Sequence, residues 1–188
     1  MKSVLISIQP KWCELIASGK KTVEVRKTKP KLDTPFKVYI YATKSGDRLV
    51  LKSDKVFEIS RAITGKVIGE FVCDKIDEYR YGVYEGEFCY HIPTIEGEKT
   101  CLEYPQAEEY GNGKPLYFWH ISNLVIYDKP RELSEFMKEC KLECDMRSLK
   151  YPPCEKCEHL IASFGCGRTI IRPPQSWCYV DGGDNNAE

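Results

Sequence analysis

The opening residues are almost wholly apolar. Val4, Leu5, Ile6 and Ile8, interrupted only by Ser7, predict a buried strand over residues 3–8. Pro10 then suits a first helical turn, Trp12, Leu15 and Ile16 recur at helical spacing, and Gly19 supplies a residue able to take positive φ beyond the end. This predicts a helix of about two turns. The period next switches to two. In Thr22-Val23-Glu24-Val25-Arg26 the valines face the core, and Thr22, Glu24 and Arg26 share the other face.

Further strands are predicted at residues 36–42, 65–73 and 116–127, each rich in Val, Ile, Tyr or Phe and bounded by Gly, Pro, Lys or Asp. Strands in this order, with few helices, describe an α+β chain wrapped as a small mixed barrel or strongly bent sheet. Tyr39 and Tyr41 alternate with Val38 and Ile40 and so share one face, close in sequence to Lys44. Trp119 and His120 point to opposite faces of the closing strand, where a lone histidine reads as a structural group. Residues 74–115 are polar with weak periodicity and read as an insertion of loops and short helices. From Ser134 a short helix is predicted, with Phe136, Met137, Cys140 and Cys144 down one face. Residues 181–188 are small and polar, the composition of a disordered tail.

With 188 residues and 42% hydrophobic side chains, the chain can bury a real core as one domain with an appendage. Its 28 basic and 28 acidic side chains exclude a polycationic protein, but the balance is a sum of unlike parts. Residues 1–66 carry 15 basic and 6 acidic groups, a net +9; residues 67–130 carry 5 and 12, a net −7; the remainder carry 8 and 10. A basic first third is either neutralised by the acidic middle within the fold or is a footprint for a polyanion. No apolar run approaches the roughly 18 residues of a spanning helix, so a cytoplasmic chain with no membrane partner is expected.

Ten cysteines in such a chain point away from a disulfide framework and toward metal or redox chemistry. Cys140 and Cys144 have the bland explanation of helical packing. Cys154-x-x-Cys157, followed by Cys166 and Cys178, has the spacing for a structural zinc ion held by four thiolates, with His159 able to replace one of them. Reduced thiols, an iron–sulfur cluster and a redox disulfide are the other chemistries this spacing admits.

The segment Gly19-Lys20-Lys21-Thr22-Val23-Glu24-Val25-Arg26 resembles the G-x-K-x-x-E-x-R motif of ASCH domains, members of the PUA-like superfamily, with Gly19, Lys21, Glu24 and Arg26 matching position by position. Residues 65–71 look like that family's central strand, and residues 117–130 like its closing strand and exit. The whole chain is similar to prophage-associated ASCH proteins whose cysteine-containing tail carries a PPQSWCYV element, here residues 173–180. The resemblance implies an ASCH domain over residues 1–133, a cysteine-rich extension over 134–180 packed on or beside it, and a PUA-like barrel whose cleft accepts RNA, another nucleic acid or a nucleotide.

In that cleft Lys21 and Arg26 would hold phosphate or ribose while Glu24 accepts a hydrogen bond from an exocyclic amine. Lys20, Thr22, Tyr41 and Lys44 are the neighbours expected to line it. Trp12 is a candidate base-stacking ring, with core packing as its competing role. One branch of the superfamily consists of acetylcytidine amidohydrolases, in which a Thr nucleophile follows the Lys by three positions; here that position is Glu24. A ribonuclease and a protein-interaction module are the remaining alternatives. The residues around the motif do not decide whether the chain is an enzyme.

Overall fold

Val4, Leu5, Ile6 and Ile8 are fully buried because their strand has partners on both edges and cover on both faces. In the computed structural model, residues 2–44, 49–53, 56–60, 63–138 and 169–181 are described, with backbone alone over 49–53 and 56–60. In chain order the elements are β1 (Lys2–Ile8), α1 (Pro10–Ala17), β2 (Val23–Arg26), β3 (Phe36–Ala42), β4 (Leu49–Ser53), β5 (Val56–Ser60), β6 (Val67–Tyr79), β7 (Tyr81–Tyr84), β8 (Glu87–Tyr90), α2 (Thr94–Thr100), α3 (Tyr104–Gly111), β9 (Leu116–Arg131) and β10 (Trp177–Asp181).

Six strands form one sheet in the order β10-β1-β3-β6-β9-β2. Only β1 and β3 run parallel; the other neighbours are antiparallel. The long pair β6 and β9 breaks register between Val67 and Gly69, between Glu70 and Val72, and between Cys73 and Ile76. Bulges of this kind increase local twist, and they bend the sheet around its contents. The inner face carries Val4, Ile6, Ile8, Val38, Ile40, Phe71 and Trp119, joined by Cys13 and Ile16 from α1. Each such aliphatic side chain contributes about 1.5–3 kcal/mol of transfer free energy. The fold is thus the mixed, sheet-dominated α+β class expected.

Two further clusters cover what the barrel leaves outside. Leu5, Tyr39, Tyr41 and Val67 lie on the outer face beneath Leu133, Phe136, Ile170 and Val180. Val23, Val25 and Phe118 lie beneath the insertion, with Tyr90 and Ala107. The insertion is more ordered than its polar sequence suggests. After β6 it folds as a hairpin of β7 and β8, turned by Glu85 and Gly86 at φ 51° and 89°, the handedness a two-residue hairpin turn requires. Two short helices follow, α3 opened by a reciprocal capping box between Glu103 and Gln106. An additional hairpin, β4 with β5, is one the residue pattern does not predict.

The helix expected from Ser134 does not form over its described residues. A single 3-10 turn at Leu133–Glu135 ends at Phe136, which is extended at φ −100° and ψ 139°. Met137 and Lys138 then bridge to Thr169 and Val180. Extension lets the Phe136 ring meet Tyr39 edge-on, with centroids 5.0 Å apart, which a helix at this point would turn away. Cys140 and Cys144 lie outside the described residues. At the far end β10 enters the central sheet itself: Lys2 pairs with Asp181 and Leu5 with Cys178. Asp181, the first residue of the expected tail, is therefore the last of a strand.

Gly69 sits at a break in register, where a Cβ would collide with the Val125 carbonyl and the Ile126 backbone. Backbone cannot move aside as a flexible side chain does. Gly69→Ala is expected to destabilise the fold by about 1–3 kcal/mol, measured by urea denaturation.

Candidate functional site

Gly19, at φ 72°, turns the chain out of α1, and the Lys21 N–H donates back to the Leu15 carbonyl at 2.9 Å. The Thr22 N–H donates to Lys99 at the end of α2, which ties the start of β2 to the insertion. In the ladder with β9, Glu24 lies opposite Trp119 and Arg26 opposite Tyr117. Glu24 and Arg26 therefore share the interior face with Trp119, while Val23 and Val25 face the cluster under the insertion. The polar face of this strand is not a solvent face. Lys21, Glu24 and Arg26 are 2%, 6% and 8% exposed.

The three side chains form one array. Arg26 Nη2 lies 3.0 Å from Glu24 Oε1, and Lys21 Nζ lies 3.4 Å from Glu24 Oε2. Arg26 Nη2 also donates to the Ser7 carbonyl at 2.6 Å, and Nη1 reaches the Ser176 hydroxyl at 3.4 Å. Lys21 Nζ donates to the Thr100 carbonyl at 2.6 Å. One carboxylate thus faces two cations, a formal sum of +1. Arg26 Nε and Trp119 Nε1, both on the interior side, are buried without a hydrogen-bond acceptor. A buried donor left in this way costs about 1–3 kcal/mol, so an acceptor belongs nearby.

Aromatic rings and lysines flank the array. Lys21 Nζ lies 5.1 Å from the Trp12 ring centroid, and Lys11 stands over the same ring at 4.4 Å. Trp12 is half-buried against the core, so it combines the two roles its position admits. Tyr110, on α3, carries Lys27 over its ring at 4.7 Å. Burial pushes its phenol up, with Arg26 pulling the other way and Glu24 adding to the rise. Tyr110, Lys11 and Lys27 escape a reading of the motif alone. The only hint in the chain is that Tyr110 falls in the insertion, next to a glycine.

The remaining predicted residues are placed differently. Lys20 and Thr22 are exposed beside the array, and Thr22 opens onto a pocket of about 570 Å³ lined also by Asp74, Lys75, Lys99, His120 and Ile121. Tyr41 is a correction: it is 2% exposed on the outer face beneath the C-terminal segment, because Leu133, Phe136 and Val180 cover the face it shares with Tyr39. Lys44 is exposed with its stem beside Gly65. The Lys21 ammonium already meets the Thr100 carbonyl and Glu24, so a ligand that reaches it would displace one of them.

Of the four candidate zinc thiols, Cys154, Cys157 and Cys166 lie outside the described residues, as does His159. Cys178 is half-buried in β10 among the outer apolar cluster, and burial pushes its thiol up. His120 is hydrogen-bonded to Asp77 at 2.7 Å. Partial burial pushes the Asp77 carboxyl up, but hydrogen bonds from Lys75 and His120 outweigh it and hold the group below its usual range.

Arg26→Met leaves Glu24 buried with one cation and removes the link to Ser7 and Ser176. A loss of about 3–5 kcal/mol is expected by urea denaturation, with the Glu24→Gln/Arg26→Met double variant losing less. Thiol chemistry supplies a second check. Burial pushes Cys73 up to about 12, and burial together with Glu24 pushes Cys13 up against the pull of Arg26. At pH 8 iodoacetamide should label both more slowly than the half-buried Cys89 and Cys101, by roughly tenfold or more in peptide mapping of the native chain.

Residues 6–89 match the ASCH domain family model. Among solved structures, the ASCH protein of Zymomonas mobilis is 19% identical with a TM-score of 0.52, over 96% of this chain and 88% of that one. A serine-to-alanine variant of the Zymomonas mobilis protein is 18% identical with a TM-score of 0.55, over 96% and 89%. No curated protein matches. At these identities the structures establish the fold, and the family match covers the strand, helix and motif that build the charge array. Residues 6–89 are thus similar to an ASCH domain, and Gly19, Lys21, Glu24 and Arg26 lie within that match, with Lys21, Glu24 and Arg26 folded into a buried charge cluster.

Proposed function

We propose that the chain binds single-stranded RNA, or a nucleotide presented in the same way, on the face where the Lys21–Glu24–Arg26 array meets Trp12 and Tyr110. ASCH domains are PUA-like, and members of the family are proposed to bind RNA. The observation that carries the reading for this chain is the array's formal +1 charge, buried and with donors left over. Burying two cations on one carboxylate is costly unless a further acceptor shares them. An anionic, acceptor-rich ligand is such a partner.

The rim supplies the rest of a single-strand site. Trp12 and Tyr110 offer faces for base stacking, and Lys11, Lys20 and Lys27 make no ion pair with a carboxylate among the described residues, leaving them for phosphates. Glu24 reads an exocyclic amine, and a ligand oxygen reaching Lys21 replaces the Thr100 carbonyl. Binding without turnover is favoured over amidohydrolysis because a carboxylate, that of Glu24, stands where a hydroxyl nucleophile is needed.

Fluorescence anisotropy with a labelled single-stranded RNA across a salt series tests this. The wild-type affinity should fall as salt rises, and Lys11→Ala/Lys20→Ala/Lys27→Ala should weaken binding and flatten the slope by about 2, at roughly 0.7 per phosphate contact on a single strand. Tyr110→Ala should weaken binding by roughly tenfold, within the range of one lost stacking contact. An unchanged slope in the triple variant would refute the assignment of this face. Turnover of the RNA during the assay would move the reading to a ribonuclease.

A further inference from the structure

Away from the array, three side chains from three elements converge: Asp77 from β6, Glu96 from α2 and His120 from β9, of which His120 also lines the open pocket. Their ligand atoms lie within 4.8 Å of one another, with His120 Nε2 2.7 Å from Asp77 Oδ2 and 3.9 Å from Glu96 Oε2. Glu96 Oε2 is buried and makes no hydrogen bond, while Oε1 accepts from Lys99 Nζ at 2.8 Å. Lys75 Nζ stands 2.8 Å from Asp77 Oδ2. The backbone prepares this meeting. The break in register between Cys73 and Ile76 brings Asp77 alongside His120, and the Thr22 to Lys99 hydrogen bond holds the end of α2 against β2.

We propose that Asp77, Glu96 and His120 bind a divalent first-row transition cation, of the Mn²⁺ or Zn²⁺ kind. Donor atoms bonded to one such ion at about 2.0–2.2 Å lie about 3–4 Å apart, which needs only a small opening between His120 and Asp77. The buried, unpartnered Glu96 Oε2 is the atom that gains most, since a cation supplies the partner the fold leaves out. One imidazole with two carboxylates selects a transition metal over Mg²⁺ or Ca²⁺, which favour all-oxygen sets. His120 contributes the Nε2 lone pair, so its hydrogen bond to Asp77 gives way to two coordinate bonds. Lys75 and Lys99 neutralise the carboxylates before the ion arrives, and are freed toward the pocket when it does. His120, Lys75 and Lys99 line that pocket, so it adjoins the site. This site owes nothing to the cysteines of the C-terminal extension, which are its natural confounder.

Manganese separates the two, because carboxylate and imidazole suit Mn²⁺ while thiolates select softer ions. The full chain, stripped with a chelator, is titrated with MnCl₂ while free Mn²⁺ is followed by electron paramagnetic resonance. A saturable site of about one ion per chain is expected. Asp77→Asn, His120→Ala and the isosteric Glu96→Gln should each weaken it by roughly tenfold or more, whereas Cys154→Ser/Cys157→Ser should leave it unchanged. Absence of saturable Mn²⁺ binding by the wild type, or equal binding by Glu96→Gln and His120→Ala, overturns the proposal. So does loss of the site in the cysteine variant. Far-UV circular dichroism confirms that each variant is folded, and Co²⁺ absorption bands lost in Glu96→Gln provide an independent signature of the same ligands.

Discussion

The Arg26 guanidinium is the group on which most of the architecture converges. It sits on β2, one edge of the six-stranded order, yet it bonds Ser7 of β1 and approaches Ser176, which leads into β10 at the other edge. A planar cation with a fixed fork of donors suits this joint better than lysine would. Glu24 makes the joint affordable in a low-dielectric interior by lying 3.0 Å from the same group. Lys21 then uses the second carboxylate oxygen and binds α2 through Thr100, so the insertion is tied to the array as well. Barrel closure, helix docking and the candidate binding face therefore share one set of charges.

Much of this architecture could be read from the residues. Phe36 to Ala42 gave a strand at the predicted positions because bulky residues on both faces are buried on both faces. The alternation of Val23 and Val25 with Glu24 and Arg26 was equally legible as a strand. Its environment was not. Period two normally separates core from solvent, but here the valines meet an insertion that the one-dimensional pattern cannot fold, and the charged face turns inward. Tyr41 shows the same limit: its face is set by alternation, whereas its cover comes from Leu133, Phe136 and Val180, far along the chain. The helix expected from Ser134 failed where a tertiary contact, Phe136 on Tyr39, outweighed local propensity.

The split of charge along the chain resolves in the same way. Lys29 with Glu78 and Lys37 with Glu70 join the basic third to the acidic middle. These pairs are at least partly exposed and worth little individually. Lys11 and Lys27 instead stand over aromatic rings beside the array, while the acidic middle gathers Asp77 and Glu96 around His120. Net neutrality is a property of the composition. In the fold, His120 of the carboxylate–histidine group lines the same pocket as Thr22.

The pairing of Lys2 with Asp181 has a consequence for the order of assembly. β1 acquires its outer neighbour only after the whole stretch between Ile8 and Trp177 has been made. Until then, one edge of an apolar strand stays unpaired, the kind of edge that templates association with other chains. Ser176 likewise reaches Arg26 late. The barrel is therefore sealed by the last of its described strands, and the interval before that strand docks is when a nascent chain is most exposed to pairing with a neighbour.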